Sequence, residues 1–79
     1  MANILAIDDE IPILELIKNG LQKDGHTVSA YPSVSQIPLE HLNRYDLIML
    51  DVMMPDTDGF TFCKKIRSLV DCPILFLTA

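Results

Sequence analysis

The segment Leu47-Ile48-Met49-Leu50-Asp51-Val52-Met53-Met54-Pro55-Asp56-Thr57-Asp58-Gly59 decides how this chain is read. Its first four residues are apolar without alternation, the pattern of a strand buried on both faces of a parallel sheet. The run stops on a single carboxylate, Asp51, and a carboxylate ending a buried strand needs a partner. Two similar runs lie outward from it. Ile4-Leu5-Ala6-Ile7 stops on Asp8-Asp9, and Ile74-Leu75-Phe76-Leu77 stops on Thr78. Thr27-Val28-Ser29-Ala30-Tyr31 alternates polar with apolar residues and suits an edge strand.

Helical patterns separate these strands. Ile13, Leu14, Ile17 and Leu21 recur at helix spacing, opposite Glu15, Lys18, Asn19 and Gln22. Pro12 fits the first turn of that helix, and Gly25 marks its stop. Ser35 to Leu42 is expected to form a short second helix with Pro38 in its first turn. A third helix is expected from Gly59 to Val70, capped by Asp58, with Phe62, Cys63, Ile66 and Leu69 as its apolar stripe. Lys64, Lys65 and Arg67 load its C-terminal half with favourable charge. The order β-α-β-α-β-α-β predicts a doubly wound α/β sheet with right-handed crossovers.

With 79 residues the chain is one small domain at most, and 49% hydrophobic residues exclude a disordered tail. The net charge of −5 argues against nucleic acid or an anionic membrane as the partner of this segment. No apolar stretch is long enough to span a bilayer, and the start lacks a secretory signal, so a cytoplasmic location is expected. Cys63 and Cys72 read as reduced thiols packed in or beside a helix, and His26 and His41 as solvent-side residues.

In a parallel sheet Asp8, Asp9, Asp51 and Thr78 fall on one carboxyl edge, where open α/β sheets place their ligands. Two unit charges about 4 Å apart repel by about 4 kcal/mol at an effective dielectric of 20. Such crowding raises the pKa of at least one Asp unless a cation sits between them. Mg²⁺, a hard ion with oxygen ligands, is the natural candidate. Asp51 is then an oxygen nucleophile toward a phosphoryl group, and Thr78 a hydroxyl donor. A plainer role for Asp8 or Asp9 is to cap the first helix; with Asp9 as the cap, Pro12 falls at the third helical position.

Competing motifs fail in place. With Gly59 at the sixth position of a calcium loop, Met54 stands first and Lys65 twelfth, where ligands are required. A phosphatase of the haloacid dehalogenase type needs an Asp two residues after its nucleophile, where Met53 stands. No phosphate-binding or dinucleotide-binding glycine loop is present.

The residues Asp8-Asp9-Glu10, the segment Leu50 to Gly59, and Pro73-Ile74-Leu75-Phe76-Leu77-Thr78-Ala79 together resemble the receiver domain of bacterial two-component response regulators. The resemblance spans the whole chain and implies a flavodoxin-like sheet of order 2-1-3-4. It implies that residues 1–79 are the N-terminal part of such a domain, ending before a fifth strand, its lysine and the last helices. Asp51 is then the phosphorylation site, and Asp8, Asp9, Asp51 and the Met53 carbonyl are the Mg²⁺ ligands. Thr78 is the switch hydroxyl, Ala79 leaves access to the site, and Pro55 and Gly59 shape the loop above it. A sensor histidine kinase supplies the phosphoryl group, making the chain a signalling module and not an enzyme. Glu10 and Met53-Met54-Pro55 are similar to regulators that control a DNA-binding output domain. Without the family's lysine, the 79-residue chain is expected to keep its Mg²⁺ ligands but to accept phosphoryl groups poorly. The alternative is a fragment that pairs with a second copy through its exposed fourth strand.

Overall fold

The structure, a computed structural model, describes residues 1–55 and 57–77. Four parallel strands, β1 (Asn3–Ile7), β2 (Thr27–Tyr31), β3 (Leu47–Asp51) and β4 (Ile74–Leu77), form one sheet in the order β2-β1-β3-β4. The register pairs Ile7 with both Tyr31 and Leu50, and Leu50 with Phe76. Helix α1 (Ile11–Lys23) links β1 to β2, and α2 (Gly59–Ile66) links β3 to β4. This is the α/β sheet expected of the three apolar runs.

The two faces of the sheet are covered unequally. Leu5, Ile7, Ile48 and Leu50 bury one face against Ile37, Leu42, Phe62, Ile66 and Val70. The other face packs Ile4, Ala6 and Val28 against Leu14, with Ile17 and Leu21 beside them. Because α1 lies over β1 and β2, only β1 is enclosed on both faces, and Ile4 to Ile7 are at most 3% exposed. Strand β3 alternates buried and half-buried residues, and Leu75 of β4 is 51% exposed. Continuous burial therefore holds for β1 and not for the other two runs. On α1, Leu14 is buried, whereas Ile13 faces partly outward.

Local chemistry sets the helix boundaries. Gly25 takes a φ of +90°, its N–H donates to the Gln22 carbonyl, and the His26 N–H donates to the Leu21 carbonyl. These two bonds satisfy the last carbonyls of α1 in a Schellman motif that favours glycine. At the other end the cap residue is Glu10, not Asp9, and Pro12 occupies the second helical position, where its missing N–H costs little.

The middle crossover is not the expected helix over Ser35 to Leu42. Two 3₁₀ turns replace it, Val34–Gln36 and Leu39–Arg44, and Ile37 between them is extended at φ −87°, ψ 126°. Pro38 is the cause, because the residue before a proline is pushed out of the helical region. The turns still bury Ile37 and Leu42 against the sheet. Helix α2 stops at Ile66 and not at Val70; the Leu69 N–H turns back to the Ile66 carbonyl, leaving Leu69 exposed and Val70 buried. His26 is no plain solvent residue either: it is half-buried and its Nδ1 accepts the Ala2 N–H at 3.1 Å.

Leu42 is fully buried on a segment with no regular helix to hold it, whereas Leu16 on α1 is 71% exposed. Leu42→Ala is expected to cost about 2–5 kcal/mol in urea unfolding. Leu16→Ala should stay within about 0.5 kcal/mol of the parent.

Candidate functional site

Strand β1 delivers Asp8 and Asp9 to the carboxyl edge of the sheet, and the neighbouring β3 delivers Asp51. Their carboxylate oxygens come within 4.8 Å of one another. Asp8 is the buried charged side chain among the described residues, at 5% exposure; Asp51 is half-buried and Asp9 exposed. The Asp8 Oδ1 accepts the Glu10 N–H at 2.9 Å, and its own backbone N–H donates to the Tyr31 carbonyl. Asp8 is thereby pinned between the end of β2 and the cap of α1. The Asp51 Oδ1 accepts the Met53 N–H in a longer contact of 3.4 Å.

Asp51 is held above the usual carboxylate range, first by burial, then by the charge on Asp8, then by a hydrogen bond shared with Asp9. The Met53 N–H opposes this by favouring the ionised form. No Lys or Arg among the described residues pairs with the three acids. The donor set is all oxygen and carries up to three negative charges, which suits a hard divalent cation and not a soft metal.

The loop after β3 is fixed from α2. Asp58 caps that helix: its Oδ1 accepts the Thr61 N–H at 2.7 Å and its Oδ2 the Thr61 hydroxyl at 2.9 Å. Both bonds pull the Asp58 carboxyl below its ordinary range. The Gly59 N–H donates to the Val52 carbonyl at 2.7 Å, and a Cβ at Gly59 would strike the Asp51 carbonyl oxygen. Only glycine permits this approach of the helix start to the strand end. Met53 bridges to Asp58 across the loop, with its side chain 78% exposed.

The three expected acids and Met53 thus meet at one place, while Thr78 and Ala79 lie outside the described residues. Sequence reasoning missed an aromatic wall. The Phe60 and Phe76 rings stand 4.8 Å apart. Phe60, Val52, Met53 and Leu77 line a cavity of about 510 Å³ together with Asp9, Glu10 and Asp51. Phe60 was the available signal, an aromatic off the buried stripe of α2 and directly after Gly59.

A family model for the response regulator receiver domain matches residues 4–79. The transcriptional regulatory protein SpaR of Bacillus subtilis is 61% identical over 79 residues, covering 100% of this chain and 36% of that protein. The transcriptional regulatory protein YvrH of the same species is 45% identical, covering 99% of this chain and 34% of that protein. The chain therefore spans about a third of the length of these curated relatives. Among solved structures, the response regulator TrrA of Thermotoga maritima, in complex with Mg²⁺-BeF, is 33% identical with a TM-score of 0.84, covering 100% of this chain and 70% of that one. A receiver domain protein from Clostridium thermocellum is 33% identical with a TM-score of 0.89, covering 99% of this chain and 65% of that one. On the matched segment, the sheet order and these relatives, the chain belongs to the receiver domain family of two-component response regulators.

Proposed function

We propose that this chain is the N-terminal part of a receiver domain whose Asp51 accepts a phosphoryl group from a phosphohistidine on a sensor histidine kinase. The observation that carries the proposal is the meeting of Asp8, Asp9 and Asp51 within 4.8 Å at the carboxyl edge of a parallel sheet. An Asp51 carboxylate oxygen attacks phosphorus, forming a P–O bond as the P–N bond to the donor imidazole breaks. The electron pair of that bond leaves on the imidazole nitrogen. The Met53 N–H orients the Asp51 carboxylate, and the Glu10 N–H holds Asp8 in place. Mg²⁺, held by Asp8, Asp9, Asp51 and the Met53 carbonyl, supplies positive charge against the phosphoryl oxygens when bound. Thr78 supplies the switch hydroxyl that reads the acyl phosphate. The relatives' role as transcriptional regulators supports a DNA-binding output domain outside this segment and a cytoplasmic site of action. No helix among the described residues is long and apolar enough to cross a membrane.

Titration with Mg²⁺, followed by amide NMR, is expected to give saturable shifts centred on Asp8, Asp9, Asp51 and Met53. Asp9→Ala should weaken binding roughly tenfold or more. Protons compete with the metal for Asp51, so affinity should fall as pH drops through its raised pKa. Absence of saturable shifts would remove the metal from the proposal. A small phosphodonor should label the 79-residue chain weakly and at Asp51 alone, and Asp51→Asn should stay unlabelled; label retained by that variant overturns the assignment.

The raised pKa of Asp51 carries a stability consequence of definite sign. Its contribution is present below the pKa of the unfolded chain and is lost as pH rises through the folded value. At neutral pH without metal, Asp51→Asn is therefore expected to raise the melting temperature, and Mg²⁺ should raise that of the parent but not of the variant.

A second reading, pairing of two copies along β4, is favoured by one observation: β4 is an outer strand of the sheet and its Leu75 is 51% exposed. Light scattering that returns a single-chain mass at every concentration excludes it.

A further inference from the structure

A second cavity lies under the middle crossover. Its volume is about 200 Å³, and it is lined by Asn3 of β1, Ser29 of β2, and His41, Arg44 and Tyr45 of the second 3₁₀ turn and its cap. Asn3 opens β1, at the opposite end of that strand from Asp8 and Asp9. We propose that this cavity binds a phosphate group.

The chemistry of the lining carries the proposal. The chain has eleven acidic residues and a net charge of −5, yet no carboxylate is among the lining residues. The side chains of the lining residues carry a guanidinium, an imidazole, two hydroxyls and an amide, a set rich in hydrogen-bond donors. Neither the Arg44 nor the His41 side chain has a hydrogen-bond or ion-pair partner among the described residues. Two acids flank the lining in sequence, Glu40 beside His41 and Asp46 beside Tyr45, and the Asp46 Oδ2 accepts the Asn3 N–H at 2.8 Å.

The wall is also held in position. The Asp46 N–H donates to the Asn3 carbonyl at 2.7 Å, and the Tyr45 N–H donates to the Leu42 carbonyl. The Tyr45 ring packs against the core cluster that contains Leu42. The turn bearing His41 and Arg44 is therefore tied to the start of β1, and residues of three segments line one space. A guanidinium fork with hydroxyl and amide donors around it matches the several acceptor oxygens of phosphate better than a planar carboxylate. A volume of about 200 Å³ admits one phosphate group with water.

The test is a titration of the full chain with inorganic phosphate in the presence of EDTA, with chloride exchanged to keep ionic strength constant. Amide NMR should show saturable shifts at Ser29, Arg44 and Tyr45, with a Kd of about 1 mM. Arg44→Gln, a change of an exposed side chain, should weaken binding about tenfold while leaving the rest of the spectrum in place. Asp9→Ala should bind phosphate as the parent does, which separates this cavity from the acidic site. Acetate should bind at least about tenfold more weakly than phosphate. Shifts that fail to saturate, equal affinity in Arg44→Gln, or equal affinity for acetate would each overturn the proposal.

Discussion

Asp8, Asp9 and Asp51 crowd three carboxylates within 4.8 Å without a Lys or Arg among the described residues to neutralise them, and the neighbouring structure serves to keep them there. Water would separate such charges if the backbone allowed it. It does not, because β1 and β3 are adjacent strands in fixed register and each ends at the same edge. The Glu10 N–H and the buried position of Asp8 remove that side chain's freedom to turn away. Asp51 is accordingly held above the usual carboxylate range, by its burial first and by the charge on Asp8 next. Such an all-oxygen cluster of like charges suits a hard divalent cation.

Much of this was legible in the sequence because the determinants are local. An apolar run without alternation locates a strand, and the carboxylate that ends it locates an edge residue, so Ile4 to Asp9 and Leu47 to Asp51 defined both the sheet and its acids. Gly25 and Asp58 likewise announced a helix stop and a helix start through properties of single residues. The crossover between β2 and β3 is less legible. Pro38 is compatible with the first turn of a helix, but its effect falls on Ile37, which it forces into an extended conformation. The helical spacing of Ser35 to Leu42 could not reveal that conflict.

The remaining differences have a tertiary origin. Whether Leu75, Ile13 or Leu69 is covered depends on which element lies opposite, and the side chains themselves are equally apolar in either case. The His26 acceptor and the Phe60–Phe76 contact join residues 24 and 16 positions apart, beyond the reach of any periodicity. Thr78 was singled out by the sequence and lies outside the described residues, so its part in the site rests on the family resemblance.

The missing side chain at Gly59 has a genetic consequence. Any substitution there pushes a Cβ into the backbone that carries Asp51 and crowds Val52 Cα at 3.0 Å. The lesion displaces Asp51 and loosens the seat of α2 in a single stroke. In a genetic selection, alleles at this codon would behave at once as folding defects and as defects in the placement of the acidic cluster. A second-site suppressor that merely added stability would restore the protein's abundance without restoring the position of Asp51. Partial suppression of that kind would distinguish codon 59 from codons such as that of Leu42, where abundance and activity should recover together.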